Sequence, residues 1–297
     1  MNVFLHVEGS APTEPLEIAA AWHADPLVIV PLVLAAWGYL ELMRSVNRRH
    51  PANRWPRRRA AMWIVGLVAI FLALQSPIDA LSEQLLTVHM VQHALLTLVA
   101  PPLLAASGIG TLLLRASSPH VRSRYLLPLM HGPLAIVVHP IVGWIAFAAV
   151  MWGSHMSGLY NLALTDPTVH MFEHLLYLVA ACLFWWPIFS PDPMRWRLHP
   201  GARLGLVFGQ LPSMSFLAVV LLTAPVVLYP AYVGRAELYG IDPLVDQQAA
   251  GALMWVIGDV ALIGAALIIA ADWMRKSERQ DARVDARLAR SRERGPS

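Results

Sequence analysis

Residues 85–106 read LLTVHMVQHALLTLVAPPLLAA, a run without Asp, Glu, Lys or Arg. A helix rises about 1.5 Å per residue and the hydrocarbon layer is about 30 Å thick, so about 20 apolar residues cross it. The run therefore reads as a membrane helix, and its anomaly is a pair of histidines, His89 and His93, four positions apart. The same anomaly recurs downstream, where residues 169–174 read VHMFEH against VHMVQH at 88–93.

Outward from this run the chain repeats the pattern. Hydrophobic residues make up 57% of the 297 and charged ones 14%, with a mean hydropathy of +0.54, well outside the soluble average. Apolar runs predict spans near 26–43, 60–76, 85–106, 133–152, 167–189, 204–229 and 249–271. The expected fold is all-α: a polytopic membrane protein, a seven-transmembrane-helix bundle. Its division is an extracytoplasmic N-terminal tail over 1–25, the transmembrane domain over 26–272, and a basic cytoplasmic tail over 273–297. Pro101-Pro102 and Pro212 are expected to break or kink the third and sixth spans.

Orientation follows from arginine, because short Lys/Arg-rich loops stay in the cytoplasm. All but one, Arg235, of the 22 basic residues fall in the first, third and fifth loops and the C-terminal tail. The N-terminus is expected outside and the C-terminus inside. The first 25 residues carry no Lys or Arg, so they lack the basic region of a cleaved signal peptide, and the first span is expected in the mature protein. The pI near 9.3 is thus a topology signal, with lipid and not nucleic acid as its partner. The tail has no regular ladder of opposite charges and is expected as a frayed helix or disorder. Cys182 is the lone cysteine, which excludes an intrachain disulfide or thiolate cluster and reads as core packing.

The two histidine pairs lie early in two spans of the same direction, in the outer third of the bilayer. Residues at i and i+4 share a helix face about 6 Å apart, and the i+3 residue joins them. Two matching triplets result, His89/Gln92/His93 and His170/Glu173/His174. Ionisable groups at membrane depth face the bundle interior and find partners, so the imidazoles and carboxylate are expected to converge. Neutral imidazole is the commonest metal ligand, and this pattern reads as a metal site. His155 and His23, at the same side, are candidates for its vicinity; Asp79, Asp166, Asp242 and Asp246 lie in the outer loops. Imidazole suits several metals, while the thioethers of Met90 and Met171 beside the histidines, with Met151 and Met156 at the outer end of the fourth span, tilt the choice toward copper as Cu(I), with zinc open. Haem is a weaker reading, because two histidines one turn apart cannot serve two haems. His170 to His174 also match HxxEH, the arrangement of a zinc hydrolase, which makes a membrane metallohydrolase the runner-up. A structural subunit of a respiratory complex is the third reading.

A wider set of residues resembles a known family. Ser82, HMVQH (89–93), Ala100-Pro101-Pro102-Leu103-Leu104, HMFEH (170–174), Trp185-Trp186-Pro187, and Asp246-Gln247 with Gly251 and Met254-Trp255 are similar to the CtaG family of caa-type cytochrome c oxidase assembly factors. The resemblance covers roughly residues 25 to 275. It implies a seven-span protein of the bacterial plasma (inner) membrane, not an enzyme, that handles copper for oxidase assembly. On that reading His89, His93, His170 and His174 are the ligands and no residue is catalytic. Gln92 and Glu173 orient the imidazoles, and Asp246 and Gln247 line the outer mouth. The implied partners are cytochrome c oxidase subunits or another copper chaperone.

Overall fold

The computed structural model describes residues 11–132 and 136–293, and among them there is no strand. Seven helices organise the chain: α1 Pro26–Arg49, α2 Arg57–Gln75, α3, α4 Pro140–Met156, α5 Pro167–Phe189, α6 Pro200–Thr223 and α7 Pro243–Glu293. α3 runs as Leu86–Ala94, a π-helical turn Leu95–Val99 and Ala100–Ala106. Among the described residues six helices are long and apolar enough to cross a membrane; α4 is also apolar but has 17 residues. The outer surface is correspondingly apolar. Trp37 on α1, Phe216 on α6 and Val256, Val260 and Leu267 on α7 are all exposed, as lipid-facing side chains are. The chain is an integral membrane protein.

Helix limits follow local rules. Pro140, Pro167, Pro200 and Pro243 each open a helix, where a missing N–H costs nothing. This corrects the fourth span, expected over 133–152. The residue before a proline disfavours helical geometry, so α4 starts at Pro140, with the His139 ring accepting from Ile141 N at 3.2 Å. It then reaches Met156 and carries His155 into the helix. The sixth span, expected to 229, stops at Thr223 because Ala224 precedes Pro225, and the following chain folds back across the bundle end. The tail takes the helical one of its two expected states, and α7 continues to Glu293. Residues 265–294 hold neither Gly nor Pro and are rich in Ala and Arg, so helix propensity prevails. Asp272 and Lys276 add one i,i+4 pair at 2.5 Å.

The prolines act in three ways. Pro101 cannot donate to Thr97, and the backbone answers with the π turn just before it, the Ala100 N–H reaching Leu95 O. The freed Thr97 carbonyl accepts from the Trp185 indole at 2.8 Å. Pro187 likewise leaves the Leu183 carbonyl of α5 without a helical donor, and there Gly143 of α4 packs directly on it. α6 runs on uninterrupted through Pro212. Gly251 provides a second close crossing, against Ala218 and Leu222 of α6. These approaches hold α4 to α5 and α6 to α7 around the site.

Candidate metal centre

The first turns of α3 and α5 and the last turn of α4 meet at one end of the bundle. The short helix Leu159–Ala163 and the segment 224–239 close over them. Side chains at i and i+4 on α3 put His89 and His93 on the inner face, with their Nε2 atoms 2.8 Å apart. α5 supplies His170 and His174, ring centroids 4.2 Å apart, and His170 lies 5.4 Å from His89. His174 lies 6.2 Å from His89 and 5.8 Å from His93. The four predicted ligands therefore come together. The donor atoms of His89, His170 and His174 lie within 4.8 Å of one another, and so do those of His89, His93 and Glu173.

Hydrogen bonds select the tautomers. Tyr232 donates its hydroxyl proton to Ser82 O at 2.9 Å, so toward His89 Nδ1, 2.7 Å away, it accepts. His89 then carries its proton on Nδ1 and turns the Nε2 lone pair to His93. His155 donates Nδ1–H to Met151 O at 2.8 Å, which leaves its Nε2 lone pair bare. Buried polar atoms are normally satisfied. Here His155 Nε2, His174 Nε2, His93 Nδ1 and both oxygens of Glu173 are buried with no hydrogen-bond partner among the described residues. The Glu173 residue is 0% exposed. A carboxylate buried without donors requires a cation or a proton, and its place inside the cluster supplies the charge that neutral imidazoles lack. The donor set thus fits a cation, with imidazole nitrogen predominating.

The other predicted residues divide. His155 joins the cluster, its ring 6.5 Å from His93. His23 does not; it is exposed and pairs with Asp79 at 3.3 Å, whose hydrogen bond holds the imidazole above its ordinary pKa. Gln92 is turned to α2, donating to Ala73 O at 2.9 Å and to Asp79 at 2.6 Å, so the two triplets are not equivalent. Asp246 caps α3, accepting from Leu86 N at 2.6 Å and Thr87 Oγ1 at 2.6 Å. Gln247 pins the returning segment through Leu228 N at 2.7 Å and Val226 O at 3.1 Å. Both hold the frame of the site, Gln247 through backbone alone and Asp246 through backbone and the Thr87 hydroxyl. Met90 is buried beneath His93, whereas Met171 is 44% exposed on the outer face, one helical step of about 100° from His170.

A family model described as cytochrome c oxidase caa3 assembly factor matches residues 37–276. The chain belongs to this family. Among relatives, uncharacterized proteins of Mycobacterium tuberculosis and Mycobacterium bovis are each 26% identical over 96% of this chain, and one of Mycobacterium leprae is 27% identical over 96%. The chain spans 44% of the length of these relatives. No solved structure matches it.

In this member of the caa3 assembly-factor family, four buried tyrosines surround the histidines without having been singled out by spacing. Tyr177 lies 4.3 Å from the His93 ring and its hydroxyl forms a short hydrogen bond with Ser154. Tyr160 packs 5.1 Å from His89 and 4.5 Å from Tyr229, and Tyr232 holds His89. Tyr177 sits one turn beyond Glu173 on the same face of α5, which was a readable signal. The other three come from connecting segments, where no period marks them.

Proposed function

We propose that this chain is a membrane-embedded assembly factor that takes up Cu(I) at the histidine cluster and hands it to cytochrome c oxidase. The observation that carries the reading is the convergence of five imidazoles and Glu173 inside an apolar bundle, with His93 Nδ1, His155 Nε2, His174 Nε2 and the Glu173 oxygens unsatisfied among the described residues. Family membership supplies the oxidase. Copper is cargo here, so the protein binds, orients and releases it without catalysing a reaction. His89, His93, His170 and His174 are the principal ligands, and His155 and Glu173 stand close enough to complete or relay the coordination. Tyr232 fixes the His89 tautomer that presents Nε2. Two Nε2 atoms 2.8 Å apart leave no room for a macrocycle between them, which favours an ion over haem.

In this reading all seven helices span the plasma membrane of a bacterium, α4 with little length to spare. The arginine-rich loops face the cytoplasm, which puts the N-terminus and the histidine end at the outer surface. The site then lies, beneath the short helix Leu159–Ala163 and the segment 224–239, at the end where an oxidase subunit or another copper chaperone can dock. In a bacterium lacking this gene, the caa3 oxidase should be assembled with depleted copper and little activity. Complementation by the wild-type gene should restore both, while a His89→Ala/His170→Ala gene expressed to the same level should not. Full copper occupancy of the oxidase with that variant overturns the proposal.

A further inference from the structure

Beneath the histidine cluster lies a second feature that the copper reading does not use. Met90 of α3, Met151 of α4, Met214 of α6 and Met254 of α7 line a cavity of about 20 Å³, with His93 and His155 at its upper edge. All four methionines are buried. We infer that this cavity is a second Cu(I) site of thioether type, in series with the histidine cluster and sharing His93 with it.

The arrangement argues for a ligand. Methionine commonly fills gaps, being unbranched and flexible. Here four methionines, each from a different helix, converge and a space sufficient for one water-sized particle stays open between them. The four belong to the hydrophobic core, and the open space between their thioethers is what distinguishes them from gap-filling methionines. Two polar atoms at the edge are unspent: His93 Nδ1 and His155 Nε2 are buried without hydrogen-bond partners. The Met151 carbonyl holds the His155 ring by its Nδ1–H, so the helix that brings a thioether also sets that imidazole.

The chemistry selects the ion. Thioethers are soft, uncharged donors that suit Cu(I) and bind Zn(II) poorly. No carboxylate lines the cavity, so a dication there would lack compensating charge, and a monovalent ion is favoured. The cluster above differs in holding Glu173. His93 bridges the two, since its Nε2 faces His89 while its ring lines the cavity. A Cu(I) ion leaving Nε2 of His93 for the cavity finds Nδ1 of the same ring on the other side, so one residue serves both sites.

This inference rests on the copper reading, and copper K-edge absorption of the full chain, purified in detergent and saturated anaerobically with Cu(I), separates the two. Wild type should hold about two copper ions with mixed nitrogen and sulfur shells. Met214→Leu/Met254→Leu, close in volume, should lose the sulfur shell and about one equivalent while keeping the nitrogen shell. Met151→Leu/Met254→Leu should do the same, which guards against misfolding of the first pair. His170→Ala/His174→Ala should lose nitrogen and keep sulfur. A nitrogen-only shell in saturated wild type, or sulfur scattering unchanged in both leucine pairs, overturns the thioether site alone. A sulfur-only shell overturns the histidine cluster as a copper site and leaves this one standing; no bound copper overturns both.

Discussion

His89 concentrates the chemistry of the site in one ring. Its Nδ1 is fixed by Tyr232 and its Nε2 looks into the cluster, so in the proposed copper site the tyrosine would act on the metal through the imidazole. Tyr232→Phe removes that acceptor and frees the ring. We expect Cu(I) affinity to fall about tenfold, the lower end for loss of such a supporting hydrogen bond. Competition against a chromophoric Cu(I) chelator measures it; unchanged affinity would show that the hydroxyl only closes the pocket. At this scale the sequence was legible where spacing forces geometry. Histidines at i and i+4 on two helices had to present paired faces, and all four came together. Gln92 and Glu173 occupy equal positions in their motifs yet diverge, because α3 has α2 and Asp79 beside it while the Glu173 side of α5 faces the cluster. No single helix contains that difference.

Helix crossings decide whether these side chains meet. A Cβ on Gly143 would lie 2.3 Å from the Leu183 carbonyl oxygen, backbone that cannot yield. Gly143→Ala should therefore push α4 off α5 and cost about 1–3 kcal/mol, as overpacking does. A lowered thermal midpoint by circular dichroism checks it, and an unchanged midpoint would mean that the crossing is loose. The interiors of the elements were readable from hydropathy alone, and α5 was expected over 167–189, where it is found. Their ends were not read as well. Pro140 and Pro225 set limits that apolar runs overshoot, because Ile, Val and Leu continue past the point where the backbone stops being helical. The displaced end of α4 matters most, since it places His155 on a helix above Met151 instead of in a loop.

The whole bundle joins two chemistries in one channel of side chains. Hard constraints lie outside, where exposed apolar residues meet lipid and arginines mark one end; soft ones lie inside, where imidazoles give way to thioethers. That gradation was legible only in part: Met90 and Met151 stood out as thioethers near the histidines, but Met214 and Met254 are far along the chain and only the packing of four helices brings them in. The tail beyond the bundle takes the helical one of its two expected states, because residues 265–293 hold no helix breaker. The central claim is that the paired histidines bind copper. The most direct measurement is the metal content of the purified chain, reduced, anaerobic and supplied with Cu(I) and Zn(II), beside the His89→Ala/His170→Ala variant at the same helical content. The account predicts copper retained by the wild type, with the nitrogen-ligated ion lost in the variant. Zinc retained in preference to copper, or copper unchanged in the variant, would contradict it.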